Sequence, residues 1–151
     1  LDKAVLRATA GQIAALANGR NLSIVIVHGA GSFGHFPARE YNVQGGSRAH
    51  PKADTGLAKT RSAVTRLNAL VVDALIEEGV PATGFPLFPA WRTSKPRAVC
   101  ETGLAHVERA IQAGLVPVLH GDVVLDDDQG WAVLSGDDVV VQACHTLNAR
   151  R

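Results

Sequence analysis

Within the eight residues His28–His35 the sequence places three glycines and two histidines, directly after the apolar run Ile24–Val27. Gly29, Gly31 and Gly34 let the backbone turn sharply and come close to a ligand, and their N–H groups can converge on an anion. His35 closes the stretch and can offer an N–H donor or a cation to a phosphate oxygen. The chemistry these residue types suit is anion recognition. No Lys-Ser/Thr pair follows, so this is not a Walker A loop. The glycines fit G-x-G-x-x-G, yet no acidic residue stands where a ribose would need it. On the residues alone, a plain structural turn with an exposed loop histidine competes with a phosphate cradle.

A second corner repeats the first. The run Val116–Leu119 leads into His120-Gly121, as Ile24–Val27 leads into His28-Gly29. Ligands of open α/β sheets bind beyond the carboxyl ends of the strands, so both His-Gly corners are expected on one rim. His28 and His120 are read as orienting or packing residues there. Ser135-Gly136-Asp137-Asp138 offers small residues ahead of a helix N-terminus, which favours anions and could reach the same rim. Ser135 or Asp137 caps that helix, and Asp137 or Asp138 either caps it or serves a ligand. His50, His106 and His145 are expected to be solvated, and the six histidines show no zinc-type spacing. Asp126–Gly130 lacks the alternating ligands and final Glu of a calcium loop and reads as a solvated hairpin turn. Phe33, Phe36, Phe85, Leu87, Phe88 and Trp91 either line a greasy pocket or belong to the ordinary core.

The elements that must position these residues follow from periodicity. Residues 2–18 read as a helix with Val5, Ile13 and Leu16 on one face and Asn18-Gly19 as the stop. Ser23–Val27 reads as a strand buried in a parallel sheet. Residues 42–56 read as an irregular surface excursion. The strongest helix runs from Thr55 to Glu78, with Leu57, Val64, Leu67, Val71 and Leu75 in one stripe and Gly79 at its end. Residues 80–96 hold four prolines, which rules out a long regular element but leaves room for a short strand over 82–85. A helix over 102–113 ends at Gly114, a buried strand covers 115–122, a β-hairpin spans 123–134, and a last helix follows Ser135. This alternation predicts an α/β sandwich with a mainly parallel sheet.

A chain of 151 residues is one domain's worth and can bury a core. Hydrophobic residues make up 46% and charged ones 19%, with a net charge of +1, so charge gives no case for nucleic acid or a membrane surface. No apolar run reaches membrane-spanning length. Cys100 and Cys144 form no CxxC pair, and a reduced intracellular setting is expected. No signal peptide is visible, and because Leu1 is not Met a preceding segment is allowed for.

The stretches "VHGAGSFGH" and "GLVPVLHGDVVLDD…G…LSGDD", joined by "TRSAVTRLNALVVDALIEEGVPATGFPLFPAW", resemble the isopentenyl phosphate kinases of the amino acid kinase superfamily, in the form found in plants and animals. The resemblance covers nearly all of the chain. It implies an incomplete three-layer α/β sandwich and transfer of the γ-phosphoryl group of ATP, with Mg²⁺ arriving on the nucleotide, to isopentenyl phosphate or a similar prenyl monophosphate. By the same resemblance His35 holds the acceptor phosphate and serves catalysis. Gly29 and Gly34 turn N–H groups toward it, Leu134, Ser135, Gly136 and Asp137 border it, and Ala30 faces ATP. No residue is implied as a metal ligand. The family commonly has glycine at the position of Ala30, which keeps the N–H and restricts the backbone. The family's Lys-Leu-Gly-Gly-Ser-like strand and its Thr-Asp-Val-Asp-Gly-like nucleotide half are expected outside residues 1–151. These residues then form a single partial domain, the acceptor-binding half, inactive or weak by itself. A homodimer is the family tendency, and the cysteine usage leads to the expectation of a cytoplasmic setting. Two rivals are a related kinase for another phosphate or phosphonate, and a non-catalytic remnant that binds a prenyl phosphate. His35 favours phosphate over carboxylate, and the Phe/Trp set favours a prenyl tail.

Overall fold

The computed structural model describes residues 1–19, 22–94 and 98–148. Three short strands form an all-parallel sheet in the order β1 (Ile26–His28), β5 (Val116–His120), β2 (Ala82–Gly84). Side chains alternate across it, as strand geometry requires. Ile24, Ile26, Val116 and Val118 pack with Ala10, Ala14, Leu75 and Val80 of the α1 and α3 side. Val25, Val27 and Leu119 pack on the opposite side with Leu104, Val107, Val139 and Ala143. The helices on the first side are α1 (Lys3–Gly19) and α3 (Ala53–Glu77); those on the second are α4 (Leu104–Gln112) and α5 (Gly136–Thr146). The result is a helix–sheet–helix sandwich with a mainly parallel central sheet, as the alternation predicts.

A second sheet has the order β4 (Ala98–Glu101), β3 (Arg92–Ser94), β6 (Asp122–Asp126), β7 (Gly130–Leu134). The β6–β7 hairpin falls where expected, and only the β3–β6 pairing is parallel. The chain changes sheets at Gly121, where β5 ends and β6 starts. Asp122 therefore opens β6 instead of closing the strand predicted over 115–122.

The structure corrects several expectations. Residues 31–40 are a helix, α2, and not a loop. On α1 it is Ala10 and Ala14 that are buried, with Ile13 packed beside them, while Val5 and Leu16 are 61% and 51% exposed. Small side chains let α1 lie close to α3. β1 is half-buried at the edge of its sheet, not buried on both faces. The 42–56 segment holds a 3₁₀ turn at Val43–Gly45 whose Val43 is fully buried, and its last four residues belong to α3. Ser47 N–H donates to Gln129 O at 2.8 Å, tying this segment to the hairpin. Within 80–96 the structure adds β3, which pairs with β4; Pro96 lies outside the described residues, as does Ala149 after α5. Asp126 is buried rather than solvated. It accepts the Thr93 hydroxyl at 2.7 Å and the N–H groups of Asp128 and Gln129 at 3.0 and 2.9 Å, closing the hairpin turn. His50 is not simply solvated: its ring meets Tyr41 edge-on, with centroids 5.6 Å apart. His106 and His145 are exposed.

Candidate functional site

The site grows from three backbone corners. β1 ends at His28, and Gly29-Ala30 turns into α2, whose first residue, Gly31, sits at φ +50. Only glycine takes that left-handed conformation without strain. β5 ends at His120, and Gly121 turns into β6. β7 ends at Leu134, and Ser135-Gly136 turns into α5. The corners touch through backbone. Gly121 N–H donates to His28 O at 3.0 Å. A Cβ on Gly121 would lie 2.9 Å from Gly136 N, and one on Gly136 would lie 3.2 Å from His28 O. Both glycines are close-approach positions, and Gly121 carried no sequence signal beyond its place after His120.

A cavity of about 330 Å³ opens where the corners meet. Gly29, Ala30, Gly34 and His35 line it from the first corner, and Leu134, Ser135, Gly136 and Asp137 from the third. All eight residues singled out in the sequence thus face one space. Gly31, the third glycine of the sequence triplet, lines it too, while sequence reasoning missed Thr60, Gly121 and Asp122 as lining residues. The apolar part of the wall is Val27, Ala38, Val64, Val123, Val133 and Val140. The aromatic set does not supply it. Leu87 and Trp91 are core residues, Phe85 packs against that core, and Phe36 is 74% exposed. Phe33 is half-buried, and Phe88 stacks under the Arg61 guanidinium, 4.8 Å from ring centre to Cζ.

The donors are set by two helix starts. The first-turn N–H groups of α2 (Gly31, Ser32, Phe33) precede its ladder, as do those opening α5. Both helix N-termini carry partial positive charge toward the cavity. Gly34 lines the cavity, but its N–H donates to Ala30 O at 3.2 Å, inside the helix. Its lack of a side chain matters differently: a Cβ there would lie 2.7 Å from Ala30 Cβ and 2.8 Å from Val64 Cγ1, so glycine lets α2 pack onto α3. Ser135 is the α5 cap in a capping box with Asp138. Its hydroxyl accepts Asp138 N–H at 3.1 Å and donates to Asp138 Oδ2 at 2.8 Å. The Ser135 N–H also donates to Asp138 Oδ2, at 3.2 Å, so both its hydroxyl and its N–H are engaged in the cap, and Asp138 is a capping residue. Asp137 lines the cavity beside it.

A polar layer floors the cavity, with half-buried His28 and buried Asp122 in its lining and His120 behind them. Asp122 is 3% exposed and paired with Arg61 of α3. Burial pushes its carboxyl up, opposed by His120, Arg61 and the N–H groups of Val123 and Phe88. His28 and His120 are directly paired across β1 and β5, and their rings stack with centroids 5.4 Å apart. Burial lowers the His28 imidazole below its ordinary value of 6.5, and His120 lowers it further, against the raising effect of the Gly29 backbone. The lowered value means the unfolded chain binds this proton more readily than the fold does. The contribution of neutral His28 to stability is full above about pH 6.5 and is lost as pH falls through the lowered value. Between pH 7.5 and pH 5, wild type is therefore expected to lose more stability than His28→Leu, measured by urea denaturation. Equal losses would show that His28 does not titrate in this way.

The α/β sandwich gathers two helix N-termini, a histidine and an apolar wall at the carboxyl end of its parallel strands. The amino acid kinase family model matches residues 1–151, and the chain belongs to that family. It is 48% identical over 117 residues to the isopentenyl phosphate kinase of Arabidopsis thaliana, a match over 77% of this chain and 35% of that protein. It is 40% identical over 152 residues to the isopentenyl phosphate kinase of Haloferax volcanii, over 100% of this chain and 59% of that protein. Among solved structures, an X-ray structure of isopentenyl phosphate kinase superposes with a TM-score of 0.83 at 33% identity, covering 96% of this chain and 60% of the other. The chain thus spans between 35% and 59% of the length of these two curated relatives.

Proposed function

We propose that this chain is the acceptor-binding half of an isopentenyl phosphate kinase, a partial amino acid kinase domain whose cavity takes isopentenyl phosphate. The observation that carries the reading is the convergence of Gly29–His35 and Leu134–Asp137 on one cavity with a polar and an apolar side. The phosphate would sit against the starts of α2 and α5, with His35 donating to one oxygen. The prenyl tail would lie along Val64, Val123 and Val133. Similarity to proteins named isopentenyl phosphate kinase supports the same reading.

The reaction asks little covalent chemistry of the protein. An oxygen of the acceptor phosphate attacks the γ-phosphorus of ATP, and the bond from that phosphorus to the ADP oxygen breaks. The acceptor is already an anion, so no general base is required, and the work is positioning and charge neutralisation. His35 and the helix-start N–H groups would hold the acceptor in line, with Ala30 on the nucleotide side. Among the described residues no three His, Cys, Asp or Glu side chains group as metal donors. In this reading the Mg²⁺ arrives on the nucleotide's phosphates. No described helix is long and apolar enough to cross a membrane. The cysteines are free, which suits the expected cytoplasmic setting. A homodimer rests on the resemblance alone.

Titration calorimetry tests the reading on the chain itself. Isopentenyl phosphate is expected to bind at least about tenfold more tightly than either isopentenol or inorganic phosphate, because only it engages both sides of the cavity. Equal affinity for isopentenol, or no saturable binding of isopentenyl phosphate, would sink it.

A further inference from the structure

The His-Gly corners share a hydrogen bond that their place in the sheet does not require. His28 Nδ1 lies 2.9 Å from Gly29 O, and His120 Nδ1 lies 3.0 Å from Gly121 O. A carbonyl oxygen only accepts, so Nδ1 carries the hydrogen in both rings. The other nitrogen of His28 agrees: the Asn68 side-chain amide donates to His28 Nε2 at 3.1 Å and to Val118 O at 3.3 Å. Both histidines end rows that are otherwise apolar, Ile24-Ile26-His28 and Val116-Val118-His120, on the α3 side of the sheet. Burying a polar ring there carries a desolvation cost that an aliphatic side chain would avoid. His120 meets that cost in full at Nε2, which is buried without a partner among the described residues. What it retains is the Nδ1 bond.

We propose that His28 and His120 are positioning residues, which hold the Gly29 and Gly121 carbonyl oxygens away from the acceptor anion and so fix the peptide planes of both corners. The inference rests on reading the cavity as a phosphate site. A glycine corner can present either face of its peptide at small cost, and a flip would exchange an N–H for a carbonyl oxygen, turning attraction for an anion into repulsion. At Gly29 an added Cβ would meet nothing within 4 Å, so no neighbouring group packs against the corner from that side. The imidazole N–H supplies the missing restraint. Because the peptide is planar and trans, tethering Gly29 O also sets the direction of Ala30 N–H, and Ala30 lines the cavity. The bond from Gly121 N–H to His28 O couples the two corners, so a slip at one disturbs the other.

Imidazole ¹⁵N spectra of the wild-type chain at pH 7.5 test the tether without any ligand. Both rings are expected in the Nδ1–H form, and an Nε2–H form in either overturns the proposal even where no variant folds. Calorimetry with isopentenyl phosphate then reads the consequence. His28→Phe is expected to bind about tenfold more weakly, with partial recovery in His28→Asn, which keeps a short N–H donor. His106→Phe, on the exposed face of α4, is expected to match wild type. Wild-type affinity in a folded His28→Phe overturns the positioning role while leaving the acceptor site standing. A wild-type chain that does not bind isopentenyl phosphate overturns the acceptor reading, and with it the role proposed for the two rings.

Discussion

His35→Ala is expected to weaken isopentenyl phosphate binding by about 10- to 150-fold, with the fold left intact. The magnitude follows from the charge of the acceptor: a hydrogen bond to an ionised group contributes about 1.5–3 kcal/mol, and each 1.4 kcal/mol is tenfold in affinity. The side chain is exposed on α2 and lines the cavity, so its removal leaves no hole in the core. Stability should change by no more than about 0.5 kcal/mol, as for other surface substitutions. The two readouts therefore separate, with calorimetry showing the loss and urea denaturation showing none. His35→Gln keeps an N–H donor without the possibility of charge and should fall between wild type and alanine. Isopentenol, which lacks the phosphate, should bind wild type and His35→Ala alike. Wild-type affinity for isopentenyl phosphate in the alanine variant would remove His35 from the site. In a kinase-competent form the same change should lower turnover by about 10²-fold, the usual cost of deleting one preorganised donor.

Much of this site was legible because its residues are local in sequence and repeat a pattern. Two apolar runs each ending in His-Gly predicted two strand ends on one rim, and the structure pairs His28 with His120 in register. Ser135 ahead of a helix was readable as a cap for the same local reason. Asp122 carried no such signal. Its partner Arg61 lies 61 positions away, and only the fold brings the two together at the floor of the cavity.

The helical nature of α2 was hidden by composition. Gly31, Gly34 and Pro37 all argue against a helix in isolation. Tertiary packing decides otherwise, because Gly34 lets α2 settle against Val64 of α3, and Pro37 is tolerated within a ten-residue helix. The buried face of α1 was misread for a related reason: large apolar residues give a strong pattern, while Ala10 and Ala14 give a weak one and do the packing. β3, Arg92–Ser94, is polar along its length and exists through its pairings with β4 and β6, and those pairings are not revealed by periodicity.

Trp91→Ala should cost about 3–5 kcal/mol, the usual range for deleting a buried aromatic side chain. Trp91 is 1% exposed and sits among Leu87, Leu104, Leu119, Val124 and Leu134. The chain around it cannot collapse freely, since the β5–β6 bend at Gly121 and the capped start of α5 hold neighbouring backbone in place. A domain of this size is stable by roughly 5–15 kcal/mol, so the loss would be a large share of the whole. Phe36→Ala, at a position 74% exposed, should shift stability by less than about 0.5 kcal/mol. Chemical denaturation of the two variants distinguishes a core tryptophan from one that borders the ligand. A substrate-lining Trp91 would lower affinity for isopentenyl phosphate while costing less than about 1 kcal/mol in stability, the reverse of the pattern expected here. Leu134 connects the two regions, because it belongs to this core and also lines the cavity. Part of any binding defect in Trp91→Ala is thus expected to pass through Leu134, and that part should remain when the measurement is corrected for the unfolded fraction.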